Sequence, residues 1–66
     1  MKILLNGENI DARDDETVAG LIARLHLPPE TILIEHNGVA LHHHEWPQRS
    51  LREGDQIEFL RVVAGG

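Results

Sequence analysis

Lys2-Ile3-Leu4-Leu5-Asn6-Gly7-Glu8-Asn9-Ile10-Asp11-Ala12 carries two β-compatible runs on either side of an Asn-Gly pair, and a helical pattern follows it from Thr17. Residues 2–6 read as a strand. Asn6-Gly7 is a hairpin turn signal because both residues tolerate positive φ. Asn9-Ile10-Asp11-Ala12 then alternates and returns as a second, short strand. Arg13-Asp14-Asp15-Glu16 is a polar loop whose acidic residues suit the positive end of a helix. Thr17 is a good N-cap. Val18, Leu21, Ile22 and Leu25 fall at i, i+3, i+4 and i+7, which makes one apolar stripe on a helix. Gly20 inside it costs about 1 kcal/mol relative to Ala, so the helix relies on packing. Pro28-Pro29 is expected to end it.

Outward from this unit, Thr31-Ile32-Leu33-Ile34-Glu35-His36 reads as a third strand. Asn37-Gly38 is a second turn signal, followed by the short apolar run Val39-Ala40-Leu41. Residues 42–54 are polar and turn-rich. Gln56 to Val63 is a long final strand that stops at Ala64-Gly65-Gly66. One helix on a mixed four- to five-stranded sheet is an α+β two-layer domain. Alternation turns Ile3, Leu5, Ile57 and Phe59 toward the helical stripe. Leu4 and Leu60 then fall on the opposite face, open to solvent.

Composition narrows the chemistry. A chain of 66 residues has room for one modest core, burying about 60% of the surface its unfolded form exposes. It has no cysteine, hence no disulfide, zinc-thiolate site or cysteine nucleophile. Eleven acidic residues against six basic ones give a formal net charge of −5. That disfavours nucleic acid, which needs clustered Lys and Arg, and suits either a basic partner surface or a solvating acidic shell. No apolar run approaches the roughly 20 residues of a membrane helix. The N-terminus lacks a signal-peptide pattern, so a cytoplasmic protein is expected.

The usual catalytic signatures are missing. Neither phosphate-binding glycine motif occurs, and Ser50, the one serine, has no nucleophile signature around it. His42-His43-His44 could ligate a metal. Consecutive residues in an extended loop alternate sides, however, so a solvated polar loop is the favoured reading and no metal site is assigned. Trp46 is read as a structural anchor on the edge of the core, its indole N–H reaching water or a carbonyl.

The end of the chain stands apart. Val62-Val63-Ala64-Gly65-Gly66 follows the best strand with no linker, so the tail must project. Its glycines lack side chains and can enter a narrow active site where a Cβ would clash. A carboxylate there becomes electrophilic once a partner using ATP and magnesium makes an acyl-adenylate, and a sulfur donor can then displace AMP. The domain is expected to span residues 1–63, with 64–66 a mobile tail that has little to bury.

As a whole the chain resembles the ThiS family, the sulfur carriers of thiamin biosynthesis, and more distantly MoaD and ubiquitin. The likeness covers essentially all 66 residues. Trp46, Leu51-x-Glu53-Gly54-Asp55-x-Ile57 and Val62-Val63-Ala64-Gly65-Gly66 look like the family's W…L-x-x-G-D-x-[IV]…V-x-A-G-G pattern. Thr17-Val18 looks like its helix start and Asn37-Gly38 its turn. The resemblance implies a β-grasp, ubiquitin-like fold. It also implies adenylation of Gly66 by a ThiF-type, E1-like adenylyltransferase, conversion to a thiocarboxylate with sulfur from a donor such as a cysteine desulfurase, and delivery to a ThiG-type thiazole synthase. The chain itself would be a protein cosubstrate that binds no cofactor, the ATP and Mg belonging to the activating partner. Gly65, Ala64 and Val63 would thread the partner's active site. Leu60, with Leu4 and Arg61, is the candidate docking surface. Two departures stand out: Leu41-His42-His43 occurs where family members often carry Val-Pro-Arg, and His36 replaces a usually apolar residue, either as a partly buried histidine or on an edge strand. A MoaD-like carrier for molybdopterin synthesis and a β-grasp interaction module without terminal chemistry are the alternatives. The former often places prolines before its terminal glycines, where this chain has Arg61-Val62-Val63.

Overall fold

A computed structural model describes residues 1–62. The elements run β1 (Lys2–Leu5), β2 (Glu8–Asp11), α1 (Val18–Arg24), a 3₁₀ turn (Pro29–Thr31), β3 (Ile32–His36), β4 (Val39–Leu41), a 3₁₀ segment (His43–Gln48) and β5 (Gln56–Arg61). The five strands form one sheet in the order β2-β1-β5-β3-β4. The β1–β5 pair is parallel and the other three pairs are antiparallel. The two Asn-Gly turns form as expected. Asn6 and Gly7 have φ of 48° and 83°, and Asn37 and Gly38 have φ of 51° and 82°, the left-handed pair that two-residue hairpin loops require. Among the described residues, no helix is long and apolar enough to cross a membrane.

The helix and the 3₁₀ segment cover one face of the sheet. Val18, Leu21 and Ile22 from the helix meet Ile3, Ile32, Ile34 and Ile57 from the strands, all nearly inaccessible. Leu5 and Phe59, expected in the core, are partly buried against it, as is Leu25. Thr17 caps α1 through its hydroxyl, which accepts from the Gly20 N–H at 3.1 Å. Two backbone bonds, Val18 N–H to Arg49 O at 2.9 Å and Leu51 N–H to Glu16 O at 2.8 Å, pin the helix start to residues 49–51. Beside them the Glu16 carboxylate accepts two hydrogen bonds from Arg24, each at 2.8 Å, and one from the Arg13 N–H at 2.9 Å. The Arg24 guanidinium therefore holds the Glu16 carboxyl below its ordinary range against the opposing effect of burial.

Three sequence expectations change in detail. Pro28-Pro29 does not end the helix. It stops earlier, in a Schellman arrangement: His26 N–H donates to Ala23 O at 3.1 Å and Leu27 N–H to Ile22 O at 3.2 Å. His26 takes the left-handed conformation, φ 57°, that glycine usually supplies, which is why the stop signal is invisible in the sequence. Residues 42–54 are less irregular than expected, because six of them wind into the 3₁₀ segment that carries Trp46 inward. The final strand ends at Arg61 rather than Val63. Its partner β3 starts at Ile32, opposite Arg61, and supplies no strand beyond. Val63, which the sequence reading placed in both the strand and the domain, lies outside the described residues with Ala64, Gly65 and Gly66.

His36 is buried, 7% exposed, and does not lie on an edge. β3 runs between β5 and β4, and His36 stands opposite Ile57 on the covered face.

Two measurements check this account. His26→Gly removes the left-handed penalty and should stabilise the fold by up to about 1 kcal/mol in urea denaturation, once the added flexibility of the unfolded chain is subtracted. The Glu16 carboxylate should contribute fully above the usual carboxylate value of about 4.3. Its contribution should vanish as pH falls through the depressed native value, so Glu16→Gln should flatten the acid limb of the stability profile.

Candidate functional site

The tail is delivered by β5, the central strand. At its start, Leu4 and Leu5 of β1 pair with Gln56 and Ile57. From Ile57 to Arg61 β3 pairs from the other side, Ile32 opposite Arg61 through His36 opposite Ile57. Past Leu5 the β1 side has no strand left, and Asn6 substitutes with its side chain. Its carboxamide accepts from Phe59 N–H at 2.8 Å and donates to Phe59 O at 3.3 Å, as a neighbouring peptide would. Sequence reading assigned Asn6 only to the turn. Its spacing from Phe59 in the chain gives no sign of this second role. The last bond before the tail is Val62 N–H to Thr31 O at 2.7 Å. The backbone is therefore held on both sides as far as Phe59 and on the β3 side alone from Leu60 to Val62.

The face of the sheet opposite the helix is open, and register decides what it presents. Leu60 and Leu33 are cross-strand partners, 63% and 57% exposed. They line a shallow cavity of about 120 Å³ with Glu35, Ala40 and Glu58. Leu4 lies on this face too, half-buried, but opposite Gln56 and so four residues down β5 from Leu60. Arg61 is exposed and does not join them. It stands opposite Ile32, whose side chain is in the core, so its position in the pleat belongs to the covered face. The sequence-predicted docking trio thus divides into two residues on the open face and one on the other.

One feature of this face follows from register alone. Glu35 and Glu58 are direct cross-strand partners, and both are exposed. Like charges so placed cost stability. They put an acidic pair beside the exposed leucines.

The remaining candidates take structural places. Trp46 is 4% exposed in the core, as expected of an anchor. Its indole N–H was expected to reach water or a carbonyl. Instead Nε1 is sealed without an acceptor among the described residues, because the 3₁₀ segment carries the ring in edge and all. The His43 ring packs on it with centroids 4.4 Å apart. His42 and His44 stack on each other at 5.6 Å, nearly parallel. No group of three or more His, Asp or Glu that could hold a metal occurs among the described residues. Ser50 forms a backbone bridge with Thr17.

The ThiS family pattern matches residues 3–66, the whole sheet, the helix and the tail. The chain belongs to the ThiS family. Its fold is that of a thiamine biosynthesis protein (ThiS) from Geobacter metallireducens in its crystal structure, with a TM-score of 0.85, 28% identity and full coverage of both chains. The solution structure of a thiamine biosynthesis protein from the same organism gives a TM-score of 0.80 at 28% identity, over all of this chain and 88% of that one. The β-grasp expectation thus holds, with five strands. The chain is also 36% identical over its full length to part of a thiazole synthase from Magnetococcus marinus, and it spans 20% of that protein's length.

The repulsive pair on the open face is open to direct test. Glu58→Lys places opposite charges across β3 and β5. It should raise the unfolding free energy by roughly 0.2–1 kcal/mol in urea titrations at low salt, with the gain shrinking as salt is added.

Proposed function

We propose that this chain is a sulfur carrier of thiamin biosynthesis, with the carboxylate of Gly66 as its working group. The reading rests chiefly on the family match, which continues through Gly65-Gly66. The carboxylate would attack the α-phosphorus of ATP bound with magnesium by a ThiF-type adenylyltransferase. Pyrophosphate leaves and an acyl-adenylate forms. Hydrosulfide, or its equivalent from a donor such as a cysteine desulfurase, then attacks the acyl carbon and AMP departs, leaving a thiocarboxylate. If the donor is a persulfide, a two-electron reductant must also cleave the acyl disulfide. The thiocarboxylate, soft and ionised, would pass sulfur to a ThiG-type thiazole synthase. That partner is supported by the stretch of a thiazole synthase that this chain resembles. Dependence on ATP is in keeping with a cytoplasmic setting.

The chain's own contribution is presentation. A fixed β5 sets the direction in which the tail leaves. Glycines keep the terminal backbone thin enough for a close active site. The face carrying Leu60, Leu33 and Leu4 would dock on the activating enzyme, and the Glu35–Glu58 pair would select an apolar patch with a basic rim.

Incubation with ATP, magnesium, a sulfur source and a ThiF-type enzyme, followed by intact-protein mass spectrometry, tests the chemistry. The expected result is a mass gain matching one oxygen replaced by sulfur, located on Gly66 by fragmentation. An unchanged mass with an enzyme active on another carrier contradicts the reading. Docking is tested separately. Leu60→Ser should leave stability within about 0.5 kcal/mol while slowing adenylation about tenfold at subsaturating carrier, as followed by pyrophosphate release. Unaltered adenylation would remove Leu60 from the interface.

A further inference from the structure

At the opposite end of β5 from the tail, the chain carries a polar depression that the carrier chemistry does not use. Its volume is about 380 Å³, and Asn37, Arg49, Ser50 and Arg52 line it together with the buried pair His36 and Asp55. We propose that this depression is a binding site for a small phosphate-type oxyanion, free or as a phosphate monoester, with Arg49 as its principal ligand.

His36, which departs from the family's usually apolar residue, is held at the depression by its ring nitrogens. Arg49 Nε donates to His36 Nδ1 at 3.3 Å. An arginine can only donate, so Nδ1 must carry a lone pair, and the ring proton must sit on Nε2. Nε2 then donates to Asp55 Oδ2 at 2.7 Å. The carboxylate is fully engaged: Asn37 donates to Oδ1 at 3.0 Å, and the Arg52 N–H donates to Oδ2 at 2.8 Å. Asp55 thus orients a neutral imidazole, and the imidazole orients Arg49.

This arrangement holds the guanidinium by one edge without neutralising it. The ion pairs among the described residues engage Lys2 with Asp11 and Arg24 with Glu16. Neither Arg49 nor Arg52 has a carboxylate partner among those residues, although the chain carries eleven acidic side chains. Arg49 is half-buried, so its charge is partly shielded from water, and its one side-chain bond is to a neutral acceptor. Its terminal nitrogens retain their donors, in the planar fork that matches two oxygens of one anion. Arg52 supplies a second positive charge on the same depression. The Asp55 carboxylate shares the lining, but its oxygens are taken up by His36, Asn37 and the Arg52 N–H. The two guanidinium groups, a hydroxyl and a carboxamide therefore face an incoming oxyanion with one positive charge in excess. The depression is also larger than one phosphate group, so a small ester fits within it.

Backbone and arginine Nε resonances of the full-length protein, followed by NMR in a phosphate-free buffer at constant ionic strength, test this. Inorganic phosphate should give saturable shifts at His36, Asn37 and residues 49–52, where chloride gives none. Glycerol phosphate binding more tightly than inorganic phosphate would identify the ester as the ligand. Equal or weaker binding would identify free phosphate. Arg49→Gln should weaken binding about tenfold or more. Arg13→Gln makes the same change in net charge away from the depression and should leave binding intact. His36→Gln, with the fold verified by its spectrum, should weaken binding while retaining both arginines. Shifts that are linear in phosphate, that chloride reproduces, or that Arg13→Gln abolishes as fully as Arg49→Gln would overturn the proposal. So would a response to an acidic peptide with none to phosphate.

Discussion

The arrangement depends on the placement of β5 between a parallel neighbour and an antiparallel one. A terminal strand at the edge of a sheet can fray, since half its backbone groups look for partners in water. Here both sides are engaged. β3 pairs with Ile57 to Arg61, and β1 pairs with the strand's beginning. The Asn6 carboxamide completes the pairing at Phe59. Beyond Phe59 the β3 side alone holds the strand, and Val62 is tied to Thr31 past its end.

That placement also separates the two faces by function. The covered face holds an apolar core small enough that single groups matter. Within it, Glu16 and Arg24 close the region around the helix start. Asp55 stays ionised in spite of desolvation, the largest influence on it, because hydrogen bonds from His36, Asn37 and the Arg52 amide together outweigh burial. The open face has no such need for satisfaction. It keeps exposed leucines and a repulsive Glu35–Glu58 pair, a composition that lowers stability and that the proposed docking would account for. Rules of local consistency are broken most readily where a surface serves binding.

Much of the fold was legible in the chain. Both Asn-Gly turns, the Thr17 cap, the apolar stripe of α1 and the alternation of β5 are local signals, and each is set by the backbone chemistry of a few residues. The failures are non-local. His26 ends the helix because residues 26 and 27 find carbonyls in the previous turn, although histidine is not a left-handed residue by preference. The segment around Trp46 lacks a helical pattern and winds up because the indole has a core to enter. His36 could be read as partly buried or as an edge residue, since only strand order distinguishes an edge from an interior strand.

The candidate site divides in the same way. By itself the sequence determined the alternation along β5 and the side of that strand on which Leu60 falls, because pleat and side-chain size are properties of consecutive residues. Only the tertiary structure decided that Leu33 joins Leu60, that Glu35 confronts Glu58, and that Asp55 reaches Arg49 through His36. Each of these depends on cross-strand register or on loops that meet through the fold. Register is set by the burial of a whole face and by turn geometry, which no short stretch of the chain contains.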